Sequence, residues 1–98
     1  MKYLMVSADY DATGIKDYQG ELDEVSLPLN ESLWRRIRQW VGDYQVIIPM
    51  NNAERQASMA LISELDERGI DICKDILSDL PGVKIEYYSE GLLKKLPF

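Results

Sequence analysis

Asp9 and Asp11 stand two residues apart at the end of an apolar run, with Thr13, Gly14 and Asp17 close behind. Carboxylates in that arrangement could ligate a hard cation, or act on phosphate if a metal offsets the repulsion between the two anions. Asp9, Asp11, Thr13, Gly14 and Asp17 match positions 1, 3, 5, 6 and 9 of the helix–loop–helix calcium loop. The bidentate glutamate required at position 12 is Gly20 here, with Glu21 one residue late. Ile15 also falls one residue early, and a strand precedes the loop where a helix should. A plainer reading is a strand-to-loop turn in which Asp and Thr side chains bond local backbone amides. Histidine is absent, which removes the commonest general base, the usual zinc ligand and the triad orienter together.

The run Asp9-Tyr10-Asp11-Ala12-Thr13-Gly14 resembles the opening motif of haloacid-dehalogenase-type phosphohydrolases. In that family the first Asp is the nucleophile, the second is the general acid, and Mg²⁺ is required. The resemblance covers six residues, and the family's downstream acidic pair at a strand end is not evident here. A metal-binding or metal-dependent phosphohydrolase-like protein using Asp9 and Asp11 is therefore the alternative reading. The first expectation is a non-enzyme with no catalytic residue, cofactor or metal.

The acid is unevenly spread. Asp9, Asp11, Asp17, Glu21, Asp23, Glu24 and Glu31 face only Lys2 and Lys16 in the first 31 residues, a net −5 of the chain's −6. Tyr10 and Tyr18 lie between these charges. A solvated loop gains nothing from tyrosines, whereas a loop that docks on a basic partner uses both residue types. The expected interface is Asp9, Tyr10, Asp11, Asp17, Tyr18, Glu21, Asp23 and Glu24. The overall negative charge argues against binding nucleic acid or anionic lipid.

Ninety-eight residues with 46% hydrophobic content imply one folded domain, residues 1–98. No apolar run approaches the ~20 residues of a membrane span, and the N-terminal apolar run is too short for a signal-peptide core. The lone Cys73 rules out an intrachain disulfide and fits a reducing compartment, so a cytoplasmic location is expected. Cys73 itself is expected to be buried and inert.

Residues 2–7 read as a strand. Residues 8–29 read as a long connection with a short strand near Glu21–Val25. Asn30 is a candidate N-cap for a helix whose apolar positions are Leu33, Ile37, Trp40/Val41 and Tyr44, running through Ile47 and stopping before Pro49. Trp34 and Trp40 are six apart, so one is expected in the core and the other partly exposed. The Arg35-Arg36-Arg38 cluster is expected to pair with the acidic loop or solvent. The stripe Leu61, Leu65, Gly69, Ile72, Ile76, Leu80 keeps a 3.6-residue period, predicting one long helix from about Asn52 to Leu80 that passes Gly69, with a break at Gly69 as the alternative. Val83–Tyr88 alternates like a strand, and the apolar tail from Ser89 either packs on the domain or stays free, the commoner state of a terminus. The fold class is α+β: two long antiparallel helices, packed with a small sheet formed by the N- and C-terminal strands.

With these elements placed, the chain resembles small acidic immunity proteins encoded beside bacterial polymorphic toxins, including those of contact-dependent growth inhibition systems. The resemblance rests on Leu27-Pro28-Leu29-Asn30 entering a helix, on Trp40 with Tyr44, on Leu65-Asp66-Glu67-Arg68-Gly69, and on Leu80-Pro81, Val83, Ile85 and Tyr87-Tyr88-Ser89. It spans most of residues 1–89 and consists of packing and capping motifs. It implies a protein that binds a cognate toxin, often a nuclease with a basic cleft, and blocks it. It carries no catalytic residues and leaves the oligomeric state open.

Overall fold

In the computed structural model, which describes residues 2–98, the chain is α+β. A five-stranded mixed sheet has the order β3-β2-β1-β4-β5. Its centre is β1 (Tyr3–Val6) beside β4 (Lys84–Ser89), which run parallel and pair Tyr3 with Lys84 through Val6 with Tyr87. The terminal strands thus meet as expected. The sheet is wider than the sequence reading because both flanks add strands.

On one flank, β2 (Ile15–Asp17) and β3 (Gly20–Glu21) form a hairpin against β1. Residues 8–29 are therefore not a connection held away from the scaffold. Ile15, Leu22, Leu27 and Leu29 from this segment are buried in the core. The strand expected near Glu21–Val25 lies earlier, because Asp17 accepts a hydrogen bond from the Gln19 amide at 2.8 Å and Gly20 takes φ 132°, which turns the chain at Tyr18-Gln19. On the other flank the tail is not free. Leu93, at φ 57°, reverses the chain, and β5 (Lys94–Leu96) pairs antiparallel with β4.

Helix α1 (Glu31–Tyr44) begins at Asn30, whose side chain accepts from the Ser32 amide at 2.9 Å. It ends three residues earlier than expected, and tight turns carry the chain from Gln45 to Pro49. The long helix expected from about Asn52 to Leu80 does pass Gly69 unbroken, but it is interrupted at Ser58, giving α2 (Asn52–Ala57) and α3 (Met59–Asp79). The two helices have different anchors. A capping box between Asn51 and Glu54 starts α2, and Arg55 ties it to backbone carbonyls of Ile48, Met50, Glu90 and Gly91, while none of its residues is buried. Burial of its own apolar face orients α3.

Helices α1 and α3 pack antiparallel. Asn30 meets Asp79, Arg36 meets Asp75, and Asp43 meets Arg68, the partner's number falling as the α1 number rises. The buried face of α3 is Ile62, Leu65, Asp66, Gly69, Ile72, Cys73 and Ile76. Leu61, expected in this stripe, is 38% exposed, and the carboxylate Asp66 is inside. Gly69 lets two rings approach, since a Cβ there would overlap Tyr87 and lie 2.7 Å from Trp40 Cζ2. Both tryptophans are buried, which corrects the expected split. The 22–29 segment covers the second side of α1, where Trp34 Nε1 donates to the Leu27 carbonyl at 2.9 Å; Trp40 Nε1 donates to Leu65 at 2.8 Å. Cys73 is buried as expected, and burial pushes its thiol up to about 12.

Candidate functional site

The eight expected interface residues are all on the β1–β3 side of the molecule, but they divide between the two ends of the sheet. Val6 pairs with Ile15 at one end, so the 7–14 loop carrying Asp9, Tyr10 and Asp11 lies beyond it. Asp17 pairs with Gly20 at the other end, and Tyr18 follows at the hairpin tip. Tyr18 stacks on Tyr3, three residues before Val6, with ring centroids 4.6 Å apart and planes at 21°. At ~3.3 Å per residue the two groups are separated by roughly 10 Å along the strand. Tyr10 is 78% exposed and Tyr18 is 87% exposed.

Much of the acid has a local task. Asp9 Oδ1 accepts from the Tyr10 amide at 2.7 Å, and Asp17 Oδ1 caps the hairpin. Asp11 sits at φ 52°, a left-handed conformation that Asp tolerates, with its amide directed to Gln45 Oε1. Glu21 Oε2 accepts from both the amide and the hydroxyl of Thr13, at 3.1 and 2.7 Å. Asp23 Oδ1 accepts from the amides of Val25 and Ser26 and from the Ser26 hydroxyl. Hydrogen bonds from Ser26 hold that carboxyl below the usual range, so it stays ionised. Glu24 pairs with Arg38 of α1.

Asp23 and Glu24 lie together beside α1. A groove of about 310 Å³ opens between the acidic segment and α1, lined by Ala12, Thr13, Asp23, Glu24, Trp34, Arg38 and Val41. Trp34, Arg38 and Val41 recur at spacings of four and three, one face of the helix. Trp34 and Val41 are buried, whereas Arg38 and Glu24 are half-exposed at the rim. The other arginines of the cluster pair along or across the helices, Arg35 with Glu31 at 3.5 Å and Arg36 with Asp75.

No family model matches the chain, and no curated protein does. Among the described residues, no group of three or more His, Cys, Asp or Glu side chains is placed to hold a metal ion. Asp9 and Asp17, which the calcium-loop spacing puts in one site, cap turns at opposite ends of β2. Among the described residues, no helix is long and apolar enough to cross a membrane.

The open face of the sheet continues the surface. Strand pleating sends Leu4, Val6, Ile15 and Tyr87 toward the helices and Tyr3, Met5, Lys16, Glu86 and Tyr88 away from them. Burial, followed by a hydrogen bond to Glu86, pushes the Tyr3 hydroxyl up to about 12, which keeps it neutral beneath Tyr18. Sequence reasoning missed Trp34, Arg38 and Val41 as groove residues. Their signal was present in the i, i+4, i+7 spacing, but what faces them comes from a segment about 10 to 30 residues earlier.

Proposed function

We propose that this chain is a non-enzymatic inhibitor that binds a basic protein domain, a bacterial toxin of nuclease type, through its acidic N-terminal segment. The observation that carries this reading is that the segment is acidic and also rigidly mounted. Its apolar residues Ile15, Leu22, Leu27 and Leu29 are locked into the core, so Asp9, Tyr10, Asp11, Asp17, Tyr18, Glu21, Asp23 and Glu24 are displayed by sheet and helix. A preorganised surface avoids the ordering penalty that a floppy acidic loop would incur on binding. The two ends of β1, beyond one of which Tyr10 lies and at the other of which Tyr18 stacks, are roughly 10 Å apart, a span that fits within one interface of standard size, about 800 Å² per partner. The carboxylates steer encounter with a basic cleft, and the two exposed tyrosines supply contact area at low entropy loss.

The test replaces Asp9, Asp11, Asp17 and Asp23 together with Asn. Asn keeps an Oδ1 acceptor for the turn hydrogen bonds, so the fold is retained while the chain's −6 loses four charges. The partner is sought by co-purification with the product of the adjacent upstream gene. Association with that protein should slow by about tenfold or more, and its salt dependence should flatten. An unchanged association rate would remove this segment from the interface.

A further inference from the structure

The groove beside α1 combines an apolar floor with a charged rim. Ala12, Trp34 and Val41 form its apolar lining, and Asp23, Glu24 and Arg38 its polar one. Its mouth already holds a guanidinium, because Arg38 Nη1 lies against Glu24 Oε1. Both side chains are about half-exposed, 51% and 54%. A pair that open to water contributes little and is exchanged readily for another.

We propose that the groove is an anchor site for an arginine side chain of the basic partner, and that Arg38 is an internal placeholder which the incoming guanidinium displaces from Glu24. This rests on the inhibitor reading above. An arginine stem is apolar along its methylenes and suits the Ala12–Trp34–Val41 floor, while its head needs carboxylates at the rim. Those carboxylates have capacity to spare. Within the 23–26 turn, every bond that the Asp23 carboxylate accepts falls on Oδ1. Asp23 Oδ2 accepts none from the described residues, and the Arg38 contact with Glu24 is made at Oε1. Arginine is favoured over lysine because its planar fork addresses two oxygens at once, whereas an ammonium is a point charge.

The probe is a tri-arginine peptide with blocked termini, titrated into the full chain and followed by NMR at the Trp34 indole N–H and the Ala12 and Val41 methyls. Saturable shifts centred on these groups are expected, with a blocked tri-lysine peptide binding more weakly. Arg38→Gln should tighten tri-arginine binding by about two- to fivefold, the size of one exposed ion pair no longer competing. Glu24→Gln should weaken it, and Ala12→Trp, which fills the groove, should abolish it. The Trp40 indole shift reports whether each variant is folded. Shifts spread evenly over Asp9, Asp17 and Glu31, or an Arg38→Gln variant that binds no tighter, would overturn the proposal. No toxin enters this measurement. Saturable groove binding with no co-purifying partner would overturn the inhibitor reading and leave the anchor standing. A toxin complex indifferent to Arg38→Gln and Ala12→Trp would overturn the anchor alone.

Discussion

The hydroxyl of Tyr87 lies 2.6 Å from Oδ1 of Asp66, a carboxylate that α3 carries into the middle of the core. Tyr44 of α1 donates to the same oxygen at 2.8 Å, and Ser89 donates to Oδ2 at 2.7 Å. Tyr44 in turn accepts from the Gly91 amide at 2.9 Å. One side chain therefore joins both long helices to the central strand and to the turn into β5. Among the described residues no cation pairs with Asp66; neutral hydroxyls alone satisfy it. The Leu65-Asp66-Glu67-Arg68-Gly69 and Tyr87-Tyr88-Ser89 motifs, separate in sequence, are two halves of this cluster.

Removing the carboxylate should be severe. Asp66→Ala takes the acceptor from three buried hydroxyls. Tyr44 and Ser89, 3.3 Å apart, can turn to each other, but Tyr87 is left unsatisfied. Each orphaned group costs about 1–3 kcal/mol, against a total stability of about 5–15 kcal/mol for a domain. Urea denaturation should show a loss of roughly 3 kcal/mol or more, or no folded state. Tyr87→Phe removes one donor to a charged acceptor and should lose about 1.5–3 kcal/mol. If Asp66→Ala were as mild as an exposed substitution, the cluster would not be what holds the sheet to the helices.

Gly69→Ala should destabilise although alanine is the better helix former. Propensity favours Ala by about 1 kcal/mol, but the added methyl would overlap Tyr87 and approach Trp40 Cζ2 to 2.7 Å. Overpacking of this kind costs about 1–3 kcal/mol, so the net sign is set by the rings. Thermal unfolding measures it, and a raised midpoint would mean the core gives way more easily than its packing implies.

Arg55 is predicted to govern the local stability of the C-terminal turn. Its guanidinium donates to the carbonyls of Met50 and Ile48 at 3.0 and 3.1 Å, to Gly91 at 3.1 Å, and to Glu90. Lysine cannot reproduce that fork. Arg55→Lys should raise amide hydrogen exchange around Gly91–Leu96 and Ile48–Asn51 while leaving α1 and α3 protected. Uniform exchange across the chain would instead assign Arg55 to global stability.

Alkaline pH should weaken the fold over two overlapping ranges. Burial raises Cys73 from 9.0 and Tyr44 from 10.0, each to about 12, and burial followed by Asp66 raises Tyr87 as well. A raised folded pKa gives stability that is complete below the unfolded pKa and is lost above it, because the unfolded chain then holds fewer protons. The urea midpoint should be level to about pH 9 on these groups, fall as Cys73 ionises in the unfolded chain, and fall more steeply from pH 10 toward 12 with the tyrosines. Cys73→Ala should flatten the segment between pH 9 and 10 and leave the later one. A midpoint unchanged through pH 11 would contradict the burial of these groups.

Elements with a sustained period were legible in the chain: α1 from its Asn30 cap, the strand over residues 84–89, the meeting of the terminal strands and the burial of Cys73. The two-residue β3 and three-residue β2 and β5 were not, since so few residues carry no period and pairing partners define them. The unbroken period showed that the helix passes Gly69, but not its interruption at Ser58, beside which Arg55 binds carbonyls as distant as Gly91, a restraint invisible in local spacing.

The α+β class, the uneven acid and the residues that bear it can be read along the chain, because composition, charge and helical period are local properties. That the acidic segment is part of the sheet, that Asp66 belongs inside and that Glu24 and Arg38 share a groove emerges from the folded chain alone. Each depends on where residues far apart in sequence are brought together. A charge exposed to water and a charge satisfied by three hydroxyls are written with the same letter, and packing alone separates them.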